Sequence, residues 1–212
     1  MKVLAINCSA RKHGNSATML NSAIAGAESS GAETKLVHLF DLKYTGCTGC
    51  EACKLLQGKS FGRCALRDDL TPILTEAIAT DVLLLASPIY FNDVSGMLRS
   101  FFERFWFPTL TYSRERTLLY PKRIKVGMIF TTNAPAVIYT DFYDNLVKLS
   151  TRIIGDTEYV TAEDTWQFDD YTKYAADMFD IDAKRLRHDN IFPEECRKAY
   201  DLGKRLAERH VR

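Results

Sequence analysis

Met1-Lys2-Val3-Leu4-Ala5-Ile6-Asn7-Cys8-Ser9-Ala10-Arg11-Lys12-His13-Gly14-Asn15-Ser16 decides how this chain is read. A short apolar run meets an abrupt polar stretch carrying hydroxyls, an amide, cations and one glycine. After it, Met19, Leu20, Ala23, Ile24 and Ala27 recur at helical spacing, and Gly31 marks the helix end. Thr34-Lys35-Leu36-Val37-His38-Leu39 then reads as a second strand. A strand, a polar loop, a helix and a strand in that order form the unit from which parallel sheets are built.

The same alternation continues along the chain. Asp69 to Ala79 reads as a helix, with Pro72 tolerable in its first turn. Asp81-Val82-Leu83-Leu84-Leu85-Ala86-Ser87 is a continuous apolar strand, of the kind buried on both faces of a parallel sheet. A helix over Ser95–Phe105 and a strand over Ile124–Phe130 follow, then a helix over Asp141–Ile154. A last strand over Thr157–Val160 and a closing helix over Glu194–Arg209 complete the pattern. About five strands alternating with helices predict an α/β three-layer sandwich with a parallel sheet in the flavodoxin-like order 2-1-3-4-5. Residues 163–190 form an aromatic, charged insertion that the alternation does not place, and no linker or repeat divides residues 1–212, so a single domain is expected.

Composition narrows the function. With 46% hydrophobic and 26% charged residues the chain has the balance of an ordinary globular protein. A formal net charge of +1 supplies no overall field for nucleic acid or an anionic membrane, so neither is an expected partner. The cationic run Lys184-Arg185-Leu186-Arg187-His188 reads as a solvated helix face. No stretch approaches the ~18 uninterrupted apolar residues of a membrane span, and no signal segment precedes the first strand, so a cytoplasmic location is expected. The six cysteines are then better suited to thiol, metal or redox chemistry than to a disulfide framework.

In open α/β sheets ligands sit beyond the carboxyl ends of the strands, and Ser9 through Thr18 occupies that location. An anion there meets unpaired N–H groups and the positive end of a helix dipole. Ser9, Ser16 and Thr18 offer hydroxyls, Asn15 an amide, Arg11 a charge-assisted pair of hydrogen bonds, and Gly14 room for close approach. The loop lacks the Gly-x-Gly-x-x-Gly of a pyrophosphate site and the Gly-Lys-Ser/Thr ending of a triphosphate loop. The plainer alternative is a polar loop that caps a helix through Asn15 or Ser16.

Cys8 through Ser16 resembles the FMN phosphate loop of the NADPH-dependent FMN reductase and iron–sulfur flavoprotein group, which commonly carries Gly-Ser-Pro-Arg-x-x-Gly-Asn-Thr. Cys8 stands in place of the first Gly, Ala10 of the Pro, and Ser16 of the Thr, whose hydroxyl it keeps. Ser87-Pro88-Ile89-Tyr90-Phe91-Asn92-Asp93-Val94-Ser95-Gly96-Met97-Leu98-Arg99 is similar to the group's Pro-Ile-Tyr flavin loop and the helix start after it. The resemblance implies that Pro88, Ile89, Tyr90, Phe91 and Asn92 flank the flavin ring. Thr131, Thr132 and Asn133, after the fourth strand, are candidates for its pyrimidine edge, with helix capping an equally good reading.

Cys47-x-x-Cys50-x-x-Cys53, followed by Cys64, can bring thiols to one metal group. It resembles the compact motif by which iron–sulfur flavoproteins bind a 4Fe–4S cluster, with Gly46 and Gly49 for tight turns and Asp68-Asp69-Leu70 downstream. Ten residues between Cys53 and Cys64 make the gap longer than in cluster-binding members, and zinc or unliganded reduced thiols remain alternatives. Cys8 and Cys196 stand apart, as small buried hydrophobes do.

The four histidines have no catalytic setting; His188 and His210 read as surface residues, and no catalytic acid, base or nucleophile is assigned. Arg114, Arg116 and Lys122 read as a solvated loop with nucleotide phosphate as the alternative, and Trp106-Phe107 as an apolar surface beside the site. The resemblance implies an FMN-dependent NAD(P)H oxidoreductase of the flavin or quinone reductase type, passing electrons to a small-molecule acceptor. The alternative is an iron–sulfur flavoprotein that exchanges electrons with a ferredoxin-like partner. Either would form a homodimer or higher homo-oligomer.

Overall fold

A computed structural model describes residues 1–115, 117–120 and 122–208. Arg116, Arg209 and His210 therefore lie outside the described residues. The strands are β1 (Lys2–Asn7), β2 (Glu33–His38), β3 (Val82–Tyr90), β4 (Asp93–Val94), β5 (Lys125–Thr131) and β6 (Thr157–Ala162). The five long ones pair in parallel in the order β2-β1-β3-β5-β6, while β4 hangs antiparallel on the end of β3. Numbered without β4, the long strands keep the expected order 2-1-3-4-5, and the added sixth strand is the difference.

That addition corrects the third strand, which runs on to Tyr90 rather than ending at Ser87. Ile89 pairs with Val94 and Tyr90 with Asp93, so Phe91 and Asn92 form a two-residue hairpin turn. Both turn residues have positive φ, 50° and 61°, the geometry of the turn whose twist matches the flanking strands.

The helices are α1 (Asn15–Ser29), α2 (Leu70–Ala79), α3 (Gly96–Trp106), α4 (Thr140–Ile153), α5 (Ile181–Asn190) and α6 (Phe192–Ala207). Strand alternation sends Leu4 and Ile6 to one face and Val3 and Ala5 to the other, and each face has its own core. Leu83, Leu85, Met128 and Phe130 meet α2, α3 and α4 on the first face. Val82, Leu84 and Ile129 meet α1 and α6 on the second. The two helices of this second layer touch backbone to backbone. A Cβ on Gly26 would lie 2.0 Å from the Tyr200 carbonyl oxygen, and one on Gly203 would lie 1.9 Å from that of Ala23.

Residues 163–190, which the alternation left unplaced, run back along the carboxyl edge of the sheet. Thr165 N–H donates to the Thr132 carbonyl at 3.1 Å before the chain reaches α5. Among the described residues no helix is long and apolar enough to cross a membrane.

Candidate functional site

The carboxyl ends of β1, β3 and β5 lie level, with Asn7 opposite Ala86 and Pro88 opposite Thr131. The three loops leaving them therefore open on one cleft of about 230 Å³. Ser9, Arg11, Gly14, Asn15 and Ser16 line it from the first loop, Pro88, Ile89 and Tyr90 from the second, and Thr131, Thr132 and Asn133 from the third. Thr18 does not line it; its hydroxyl turns back to the Gly14 carbonyl at 3.2 Å. Phe91 and Asn92 are also outside the lining, at the exposed hairpin tip.

The first loop is held open. Ser9 N–H donates to Asn7 Oδ1 at 3.1 Å, and Arg11 N–H to Ser9 Oγ at 3.1 Å. Neither Asn15 nor Ser16 caps α1, because no side chain accepts from its first turn. Asn15 Nδ2 instead donates to the Trp166 carbonyl at 2.8 Å, and Ser16 Oγ shares a 2.6 Å hydrogen bond with Thr131 Oγ1. The capping alternative fails, and the helix presents an N-terminus without a side-chain partner to the cleft. Ser95 locks the first two loops together, since its hydroxyl donates to the Cys8 carbonyl at 2.7 Å while its N–H donates to Ser87 Oγ at 3.0 Å. Burial pushes the Cys8 thiol well above the usual thiol range, so it behaves as a small apolar group under the loop.

Thr165 and Gln167 complete the cleft, and neither was itself assigned to it from the sequence. Arg11 Nη1 donates to the Gln167 carbonyl at 2.7 Å, tying the insertion to the first loop. Lys184 was not assigned there either. It is 3% exposed, not solvated, and its Nζ donates to Asn133 Oδ1 at 2.6 Å and to Asp164 Oδ1 at 2.5 Å. A lysine only donates, so the Asn133 oxygen must face it and the Asn133 amide must face the Gln167 Oε1, 2.7 Å away. The orientation of a cleft amide is thus fixed from behind. Arg187 likewise pairs with buried Glu195 at 2.6 Å rather than with water.

The cysteines gather separately. Cys47, Cys50, Cys53 and Cys64 line one small recess against Glu103 and Arg104 of α3, and all are free thiols. Cys47 N–H donates to Glu103 Oε2 at 3.0 Å, and a Cβ on Gly46 would lie 2.8 Å from that oxygen. The Arg104 side chain is 0% exposed; its Nε donates to Cys64 Sγ at 3.3 Å, and its fork engages Asp68. Burial raises the Cys53 thiol above its ordinary value, against the charge of Lys54, which favours the thiolate. Among the described residues no three Cys, His, Asp or Glu side chains converge tightly enough to hold one metal ion. The four thiols border one recess with a buried guanidinium against Cys64, and a cubane would ask each of them to hold a different iron.

Trp106 corrects the expected apolar surface. It is 5% exposed and stacks on Phe102 at 3.9 Å, inside the core.

The sequence pattern of the family described as NADPH-dependent FMN reductase matches residues 1–133. An iron-sulfur flavoprotein of Archaeoglobus fulgidus is 35% identical over 118 residues, 56% of this chain and 50% of that protein. One from Methanocaldococcus jannaschii is 32% identical over 127 residues, 60% of this chain and 59% of its own length. The chain thus spans little more than half the length of the curated relatives it matches. Among solved structures, the NAD(P)H:quinone oxidoreductase from Methanothermobacter marburgensis superposes with a TM-score of 0.68 at 13% identity, covering 99% of this chain and 98% of that one. An FMN-dependent NADH-azoreductase from Bacillus anthracis in complex with FMN gives 0.64 at 13% identity, covering 98% and 99%. At such identity the likeness is one of fold.

Proposed function

The chain belongs to the NADPH-dependent FMN reductase family, and we accordingly propose that it binds FMN in the cleft between the β1, β3 and β5 loops and works as an NAD(P)H-dependent oxidoreductase. The chemistry FMN supplies when bound is hydride acceptance at N5 from NAD(P)H and delivery of electrons to a second, small-molecule acceptor. The observation that carries the reading is the α1 N-terminus, left without a side-chain cap and surrounded by Ser9, Arg11 and Ser16. Those groups would hold the phosphate. Pro88, Ile89 and Tyr90 would wall the ring, and Thr131, Thr132, Asn133 and Gln167 would offer hydrogen bonds to its polar edge. No residue of the cleft is asked to take or give a proton; the chain binds, orients and shields.

Comparing FMN with riboflavin tests this directly. Arg11→Ala combined with Ser16→Ala should weaken FMN by about 2–4 kcal/mol, since hydrogen bonds to charged groups are worth about 1.5–3 kcal/mol each. Riboflavin, which lacks the phosphate, should lose little in the same variant, so the ratio of the two affinities isolates the phosphate from any general damage to the loop. Equal losses for both ligands would reject the assignment.

A second reading rests on the cysteine recess: an iron–sulfur flavoprotein that exchanges electrons with a ferredoxin-like partner. Arg104 against Cys64 and Lys54 beside Cys53 would offset part of the negative charge of four thiolates. Iron and sulfide assayed on the anaerobically purified protein separate the readings, because a flavin-only reductase contains neither.

A further inference from the structure

A second cavity, of about 220 Å³, shares no lining residue with the proposed FMN cleft. We propose that it binds a small organic anion with a flat apolar body, an aromatic carboxylate of one or two rings. Its wall is the stretch between Cys53 and Cys64, whose ten residues the cysteine spacing alone does not require. Leu74, Ile78 and Phe105 make an apolar floor, and Lys59, Arg63 and Arg67 stand around it.

The charge pattern is what singles the cavity out. The chain as a whole carries 28 basic and 27 acidic residues, yet no acidic residue lines this cavity, while Lys59, Arg63, Arg67 and Arg104 all do. Arg104 is spent on Asp68, Cys64 and the Thr45 carbonyl. The other three are exposed, and among the described residues none of them forms an ion pair. Three like charges held around one opening repel one another, and an anion relieves that repulsion. The ligand's carboxylate would therefore sit among the exposed cations, where it keeps part of its hydration, and its ring would enter toward Leu74 and Phe105. The volume of about 220 Å³ accommodates a flat body of one or two rings. Cys64 lines both this cavity and the cysteine recess, so an occupant lies against the same thiol that Arg104 contacts.

The test titrates 2-naphthoate and its neutral counterpart 2-naphthol into the protein as anaerobically purified, by calorimetry, with hydrogen exchange followed on the same samples. Naphthoate should bind more tightly than naphthol, its affinity should fall with added salt, and exchange should slow within residues 59–78. Arg63→Gln with Arg67→Gln, both exposed positions, should weaken naphthoate by about tenfold or more. Absence of binding would overturn the proposal, as would binding indifferent to the double variant. Slowed exchange confined to residues 9–16 and 131–133 would also overturn it, by moving the ligand to the FMN cleft. Exchange in 59–78 already slow in an oligomer that takes up no naphthoate would do the same, with a second copy as the true occupant.

Discussion

Arg104 is among the largest side chains that the fold buries, and its fork is closed by Asp68, whose side chain is 20% exposed. Burial alone would raise the Asp68 carboxyl. The hydrogen bonds and charge of Arg104, with the Leu70 N–H, outweigh it and leave the group below the usual carboxylate range. A carboxyl depressed in the folded state stabilises the fold above its unfolded value of ~3.9 and loses that contribution as pH falls through the folded value. Asp68→Asn should therefore cost about 2–3 kcal/mol at pH 7, by stranding a buried guanidinium, at or below the lower end of the range for broken buried pairs because Asp68 is partly exposed. The gap between variant and parent should close as urea unfolding is repeated from pH 5 down toward pH 2; a gap independent of pH would reject the account. Residue-scale legibility followed sequence distance. The first loop could be read because its donors lie within one short stretch, and Asp68 because it sits in a recognisable run. Lys184 could not, because its partners at Asn133 and Asp164 reach it only through the irregular path of residues 163–180.

At the scale of elements, apolar periodicity located the long strands and most of the helices, and missed the β3–β4 hairpin. Such turns usually announce themselves with Asn-Gly or Asp-Gly, and here the first turn position is Phe91 at φ 50°. The close crossing of α1 and α6 was also hidden, since glycines at 26 and 203 look like ordinary weak points of helices. In an exposed helix Gly→Ala gains about 1 kcal/mol. Gly203→Ala should instead destabilise by about 2 kcal/mol or more, because the new methyl meets the Ala23 backbone rather than a side chain that can move. Thermal unfolding measures it, and a raised midpoint would show that the helices can separate at little cost.

For the whole molecule, several large apolar side chains stand exposed near the cleft. Phe91 is fully exposed at the hairpin tip, and Tyr90, Val137 and Ile138 are exposed on the loops that leave β3 and β5. These residues, rather than the buried Trp106, supply the exposed apolar surface that the expected homo-oligomer calls for. Light scattering on the FMN-bound protein should give at least twice 24.1 kDa, and Phe91→Lys should lower the association constant. A particle of 24.1 kDa at micromolar protein would overturn the homo-oligomer expected from the sequence.

The α1–α6 crossing also sets an order of events during synthesis. The first strand, the first loop and α1 leave the ribosome early, but α6 is made after every element it packs against. Until Phe192–Ala207 emerges, the sheet face bearing Val82, Leu84 and Ile129 has only α1 over it. Vectorial folding can thus complete the α2–α4 side while α1 waits on a partner nearly the length of the chain away, a pairing of high contact order. The nascent protein passes through a stage with one finished layer and one only half covered.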